Sequence, residues 1–278
     1  MTRYRLVIAV LVLLTAPGAV LASTLTVLSS VKPIQMLVSA VGGDNVDSQL
    51  LLPPAFSPHD ARLKPSQWQA LEKANLIVWV GPELERFLAS AMRDRENVLP
   101  LGVLAGEAIK TDPHIWLSVD QVVDMTTTIA KALARKSPRH EAGFLARAAR
   151  LISLLRQEDL LLRQQFTRSY PPYLLPHRGY THFEQQYGLA PAAIVSPGGD
   201  HLPGAAHIVA LRSRLLAGEF RCVFREPQHD GKLMQRLLDG VEVQQITLDP
   251  MGAGIEGGSD AFVRYYLSLA EAFLACRE

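Results

Sequence analysis

Short hydrophobic stretches in the first part of the chain have the spacing of β-strands. Residues 24–29 alternate between apolar and polar side chains, and residues 46–52 form a second run that leads into a proline-rich loop. Residues 76–80 are continuously apolar, which is typical of strands buried on both faces of a parallel sheet. The pattern therefore predicts three strands before residue 81.

Helical spacing follows each of these strands. One helix is predicted to begin at Pro33 and to end at Gly42. A second begins near Ser66, which forms a capping-box pattern with Gln69, and a third runs from Glu83 to Arg93. Alternation of strands and helices favours a doubly wound α/β lobe.

Two helices are predicted in the middle of the chain. The first starts at Ser118, which forms a capping-box pattern with Gln121. The second runs from Pro138, with Ser137 as its N-cap, to Ser169, and would be roughly 45–50 Å long. We interpret this second helix as a rigid connector. Its arginines are expected to face solvent (Arg147, Arg150, Arg156 and Arg163), and its apolar residues to be buried (Phe144, Leu151, Leu155, Leu162 and Phe166).

The same alternation returns in the last third of the chain. Strands are predicted at residues 173–175, 190–195, 220–224 and 241–248, and helices around Phe183 and Tyr187 and at residues 204–216, 233–238 and 260–276. The predicted fold is α/β, with two doubly wound lobes at residues 23–136 and 170–278 joined by a connector helix at residues 137–169. A ligand site is expected in the cleft between the lobes.

The N-terminus has the features of a secretory signal. Arg3 and Arg5 precede an apolar run too short to span a bilayer, and small residues follow up to Ala22. Cleavage there would leave 26 basic and 27 acidic residues, a formal net charge of −1. Neither nucleic acid nor another polyanion is an expected partner of such a chain.

Two cysteines, Cys222 and Cys276, lie in the last third of this exported chain. An oxidising compartment is expected to pair them, tying a predicted strand to the last helix. The alternatives are two free buried thiols or a cysteine-based metal site. No second cysteine or histidine stands at C-x-x-C-type spacing, which disfavours the metal site.

Four candidate ligands stand beside prolines. His59 and His177 follow Pro58 and Pro176 just past predicted strands, His114 follows Pro113 in a stiff turn, and Asp249 precedes Pro250. Ligands of parallel α/β sheets bind outside the carboxyl ends of the strands, and two candidates fall in each lobe. Three imidazoles and one carboxylate suit tetrahedral Zn²⁺ better than Mn²⁺, Ca²⁺ or Mg²⁺.

Several segments in order carry a resemblance to a known family. They are Ser57-Pro58-His59-Asp60, Lys64-Pro65-Ser66, residues 76–81, Asp112-Pro113-His114-Ile115-Trp116-Leu117-Ser118, His177 with Tyr180, residues 183–189, residues 223–228 and Thr247-Leu248-Asp249-Pro250. With these segments nearly the whole mature chain resembles the ZnuA-like or TroA-like periplasmic metal-binding proteins of ABC importers, specifically the zinc-binding group.

The resemblance implies a function and a ligand set. His59, His114 and His177 would be the metal histidines, and Asp249 the position that is a fourth ligand in some members and gives way to water in others. Zn²⁺ would be transported cargo, delivered from the periplasm to the membrane permease in transient contacts. A monomer is expected, and a periplasmic zinc chaperone is a further candidate partner.

Two features depart from the family pattern. Arg178 stands where members typically have Asp, which would change the support of His177 or the charge at the cleft mouth. Residues 102–111 contain no histidine, whereas many zinc members have a metal-collecting insert there. Capture by such an insert is therefore not expected.

A secreted zinc hydrolase and a metal-binding adhesin are the alternatives to zinc transport. A secreted zinc hydrolase would need an open coordination position and a general base, and the sequence has no His-Glu-x-x-His pair. A metal-binding adhesin would share the fold and the site. The remaining histidines are interpreted as surface or structural residues without a metal: His140, His182, His201, His207 and His229.

Overall fold

The structure is a computed structural model that describes residues 24–59, 61–167, 169–197, 203–229 and 231–277. The predicted signal at residues 1–22 and His201 lie outside the described residues. No helix in the described ranges has the length and apolar character needed to cross a membrane.

A parallel four-stranded sheet forms the centre of the first lobe. Its strands are β1 (Leu25–Ser29), β2 (Val46–Leu50), β3 (Leu76–Trp79) and β4 (Val98–Pro100), in the order β2-β1-β3-β4. β4 was not predicted, because three half-buried residues give no recognisable period. The continuous apolar run of β3 serves both faces: Leu76 and Val78 pack into one core, Ile77 and Trp79 into another.

The helices of this lobe differ from the prediction in the cap of the second, in the extent of the third and in a short fourth helix that was not predicted. They are α1 (Lys32–Gly42), α2 (Pro65–Lys73), α3 (Ala89–Met92) and α4 (Ala108–Thr111). Lys64 and not Ser66 is the N-cap of α2, and its backbone N–H donates to the Gln67 side chain, because Pro65 occupies the first helical turn. The predicted helix from Glu83 to Arg93 is wrong, since a 3-10 turn precedes the four residues of α3.

Glu85 explains why the segment after β3 does not form one continuous helix. Its buried carboxylate accepts hydrogen bonds from the backbone N–H groups of Val80 and Gly81 and from the Ser30 hydroxyl. A side chain that satisfies the backbone in this way competes with helix formation. The segment after β3 therefore folds as turns.

Two long helices come next in the chain: α5 (Val119–Lys136), the last of the first lobe, and α6 (Glu141–Gln165), the connector. The connector is confirmed, but its helix starts after a 3-10 turn at Pro138–His140, since the Ser137 hydroxyl bonds the His140 ring instead of capping α6. Its 25 residues make it about 38 Å long. The Ser118 capping box is also absent, because the Ser118 N–H that the Gln121 side chain would accept donates to the Ile115 carbonyl instead.

One face of α6 is buried as predicted, but its arginines are not simply solvated. Arg147 is half-buried and donates to the carbonyl oxygens of Val41 and Gly42, the last carbonyls of α1. Arg156 binds Asp120 on α5. These contacts tie the connector to the first lobe, in addition to the apolar packing.

The second lobe repeats the topology of the first. Its strands are β5 (Tyr173–His177), β6 (Ala193–Ser196), β7 (Cys222–Arg225) and β8 (Gln244–Thr247), all parallel and in the order β6-β5-β7-β8. Its helices are α7 (Thr181–Tyr187), α8 (Ala205–Leu216), α9 (Lys232–Leu238) and α10 (Ala261–Ala275). The predicted pair of doubly wound lobes is therefore confirmed.

The two lobes share one apolar core. It contains Val78 of the first sheet, Phe144 of the connector and Phe224 of the second sheet, with Phe273 of α10. Each sheet has a further, separate cluster on its other face. The predicted disulfide is present between Cys222 and Cys276 and ties β7 to the end of α10.

Candidate metal centre

The candidate ligands lie on loops and strand ends that face the cleft. His177 is the last residue of β5, His59 lies in the loop after β2, and Asp249 follows β8. Parallel strands bring their carboxyl ends to one edge of a sheet, so both lobes direct side chains into the space between them. His114 comes from the turn between α4 and α5.

His114 is held by the aspartate two residues before it. Asp112 is fully buried, and its Oδ1 accepts hydrogen bonds from the His114 backbone N–H (3.0 Å) and from Nδ1 (2.7 Å). Its Oδ2 accepts from the Thr181 N–H. With Nδ1 held in this way, Nε2 is the nitrogen of His114 that remains to bind a metal.

The charge of Asp112 is maintained by the same contacts. Burial alone would raise the pKa of Asp112, but the charge and hydrogen bonds of His114 outweigh burial and hold that pKa below its usual range. The Asp112 carbonyl oxygen accepts a hydrogen bond from His182 Nε2. His182 therefore has a structural partner in the turn.

His177 is held by a carboxylate from the neighbouring strand. Its Nδ1 lies 2.9 Å from Oε1 of Glu226, which directly follows β7. The same oxygen accepts from the Tyr180 hydroxyl, and Oε2 lies 3.1 Å from His229 Nδ1. Burial alone would raise the pKa of Glu226, but the charges and hydrogen bonds of both histidines outweigh burial and lower that pKa.

The three predicted histidines converge. His59 Nε2 and His114 Nε2 are 3.3 Å apart, and the rings of His114 and His177 lie 5.2 Å apart between centroids. Two imidazole nitrogens on one tetrahedral zinc, with bonds of about 2.0–2.1 Å, are about 3.3–3.4 Å apart. These side chains line a cavity of about 10 Å³, which is about the space that one ion or water molecule needs.

Gly179 makes the close approach of the backbone possible. A Cβ atom at this position would lie 2.3 Å from His177 Nε2 and 3.1 Å from His114 Cε1. Only a residue without a side chain therefore leaves both imidazoles in place.

Asp249 lies beside this cluster and has other partners. Its Oδ1 accepts from the Gln228 side chain (2.8 Å) and from the Met251 N–H, and its Oδ2 accepts from the Ala253 N–H. Among the described residues, the groups whose ligand atoms lie within 4.8 Å of one another are His59, His114 and His177, and His177, Glu226 and His229. Asp249 belongs to neither group and orders the loop that follows it.

Polar contacts join the lobes around the cluster. Gln228 also donates to the Pro54 carbonyl of the loop that carries His59. Trp116, two residues after His114, donates to the Pro250 carbonyl of the second lobe. Lys32 donates to the carbonyl oxygens of Ala253 and Ile255. The bonds of Gln228, Trp116 and Lys32 are called the rim contacts below.

Sequence reasoning gave no role to several residues of this site. Asp112, Glu226 and Gln228 lie in the family-like segments, but no contact with the ligands was predicted for them. His229 was predicted to have no role at the metal. The position of Glu226, a carboxylate directly after a strand, is the feature of the sequence that could have predicted its place in the site. Arg178 is exposed and donates to the Pro197 carbonyl, so Glu226 and not residue 178 supports His177.

The fold and the site together define a two-lobed α/β metal-binding protein with its histidines in the cleft. The family model for ZnuA, the periplasmic component A of the zinc-uptake complex, matches residues 27–276. The chain belongs to this family.

Individual relatives agree with this assignment. The chain is 27% identical to the high-affinity zinc uptake system protein ZnuA of Yersinia pestis, over 90% of each chain. A crystal structure of ZnuA superposes with a TM-score of 0.75 at 25% identity, covering 90% of this chain and 99% of the other. The periplasmic zinc-binding protein TroA from Treponema pallidum shares the fold, with a TM-score of 0.78 at 20% identity over 90% and 98% of the two chains.

Proposed function

We propose that the chain captures Zn²⁺ in the cleft through His59, His114 and His177 and delivers it to the membrane permease of an ABC importer. The observation that carries the proposal is the 3.3 Å separation of His59 Nε2 and His114 Nε2, with the His177 ring against them. This is the spacing that tetrahedral zinc requires of two imidazoles. The family assignment and the zinc-uptake names of the relatives support it.

The donor set favours zinc over harder cations. Imidazole is a good ligand for Zn²⁺, whereas Mn²⁺, Mg²⁺ and Ca²⁺ prefer carboxylate, carbonyl and water oxygens. Asp249 is the proposed fourth ligand. To bind the ion it would exchange one of its present donors, such as Gln228.

Zinc is proposed as cargo and not as a catalyst. Asp112 and Glu226, the buried carboxylates next to the ligands, each hold an imidazole Nδ1. A hydrolase would need a carboxylate directed at a metal-bound water as general base. These two carboxylates instead orient ligands.

The proposal includes the setting of the protein. A signal cleaved after Ala22 would export the chain to the periplasm, where the disulfide between Cys222 and Cys276 is stable. The mature chain would act as a monomer with lobes at residues 23–136 and 170–278. Contact with the permease would be transient, and a zinc chaperone would be a second partner.

Metal analysis of the mature chain after dialysis tests the proposal. We expect about one Zn²⁺ per chain, and strong loss of affinity for chelator-buffered zinc when His59, His114 or His177 is replaced by Ala. Asp249→Ala should weaken binding without abolishing it. Tight zinc binding by the triple His→Ala variant would refute the ligand assignment, and failure of the zinc-loaded protein to drive uptake by permease-containing vesicles would refute the transport role.

A further inference from the structure

A second group of metal-ligating side chains adjoins the three histidines. The Glu226 carboxylate lies between two imidazoles, with Oε1 2.9 Å from His177 Nδ1 and Oε2 3.1 Å from His229 Nδ1. The rings of His177 and His229 lie 5.5 Å apart between centroids. Ligand atoms of all three residues lie within 4.8 Å of one another. Two imidazoles and one carboxylate are a donor set that binds zinc in proteins.

The group runs from the protein surface to the buried cluster. The side chain of His229 is 37% exposed, whereas those of His177 and Glu226 are 3% and 1% exposed. All three residues line the same cavity as His59 and His114. A cation that enters along His229 therefore meets this group before it reaches His59 and His114.

We propose that His229, Glu226 and His177 form an outer site for Zn²⁺, occupied by the ion on its way to and from the inner site. The proposal rests on the function proposed above. His177 belongs to both groups, with Nδ1 next to Glu226 and Nε2 directed at the inner site, so the ion would exchange His229 and Glu226 for His114 and His59 across a single imidazole. Two dications around one imidazole would repel each other strongly, so the sites would be filled alternately and the chain would hold one ion.

Zinc-binding kinetics test this outer site in the intact protein. Because the outer site lies on the route in both directions, His229→Gln should slow zinc association and dissociation alike, each by about tenfold or more, with a change in the dissociation constant that is smaller than the change in either rate. His140→Gln removes a histidine distant from the cleft and should change neither rate. Stopped-flow mixing with Zn²⁺ and then with a chelator measures both rates.

A weakened inner site provides an equilibrium test. In a His59→Ala background the remaining affinity should depend on the outer group, so adding His229→Gln should lower it by a further factor of about ten. Adding His140→Gln should not. Unchanged rates in His229→Gln, or a His59→Ala affinity that is independent of His229, would overturn the outer site. Failure of the wild type to bind zinc would instead refute the proposed function.

Discussion

The substitution Gly179→Ala tests the candidate metal centre without removing any proposed ligand. The added methyl group would lie 2.3 Å from His177 Nε2 and 2.7 Å from His177 Cε1. Ordinary contacts of a Cβ atom begin near 3.4 Å. The imidazole would have to move by about 1 Å, whereas a zinc–ligand distance tolerates about 0.2 Å. The shift therefore removes His177 as a ligand in its present position.

We expect the zinc affinity of Gly179→Ala to fall at least 100-fold, which corresponds to about 2.7 kcal/mol. The backbone at Gly179 is not in the left-handed region, so alanine is compatible with its conformation. The apo protein should lose about 1–3 kcal/mol of unfolding free energy, the usual cost of overpacking. Folding and zinc binding can therefore be measured on the same variant.

Competition with a chelator of known affinity measures the loss, and urea unfolding of the apo protein checks the fold. Gly257→Ala is the matched control, because a Cβ atom there meets nothing within 4 Å and the backbone is again not left-handed. It should bind zinc like the wild type. If Gly179→Ala bound zinc within threefold of the wild type, the inferred position of His177 Nε2 at the ion would be wrong.

Three further predictions concern stability and motion. Replacing Cys222 and Cys276 by Ala should lower the unfolding free energy by about 4 kcal/mol, from the 54-residue separation that the disulfide closes, and a loss below 1 kcal/mol in urea titrations would contradict this. Burial raises the pKa of Glu85 to about 7 from 4.5, against the opposing hydrogen bonds of Gly81, Ser30 and Val80. The stabilising effect of the neutral Glu85 carboxyl is complete below pH 4.5 and is lost as the pH rises to 7. The unfolding free energy of apo Glu85→Gln relative to that of the wild type should therefore rise by up to about 3 kcal/mol across this range. A difference in unfolding free energy that does not change with pH would contradict the raised pKa. Solution scattering should give nearly equal radii of gyration for apo and zinc-loaded protein, and a large decrease on adding zinc would mean that the connector bends.

Local sequence patterns predicted those strands and helices whose structure depends mainly on their own residues. The apolar run of β3 and the buried stripe of α6 are examples, since strand and helix periods decide which face is buried. Contacts at helix starts were not predicted where a distant residue makes them: the Val119 N–H in the first turn of α5 donates to the side chain of Gln186. Such tertiary partners leave no local signal in the sequence.

The candidate site also contains residues that local patterns predict and residues that only the fold brings together. Prolines and strand ends led to the prediction of four ligands, His59, His114, His177 and Asp249, and the fold brings the three histidines together but leaves Asp249 outside the group. Glu226, which supports His177, lies 49 positions further along the chain and comes close through the pairing of β5 and β7. The sequence near His177 gives no signal of this contact. His229 was dismissed for the same reason, since only the fold brings its ring near His177.

The shared core and the rim contacts predict how the ion of the proposed function would leave its site. Opening the lobes would expose the apolar core that runs through α6 and both sheets, which is costly in water. Of the rim contacts, the bond from Gln228 to Pro54 joins two loops and is only partly buried, so water can replace it at little net cost. His114 and His177 are buried, whereas His59 is half-buried on the loop that Gln228 holds. A permease that binds this loop and breaks the Gln228 contact would therefore remove His59 from the ion first, lowering zinc affinity while the core stays intact.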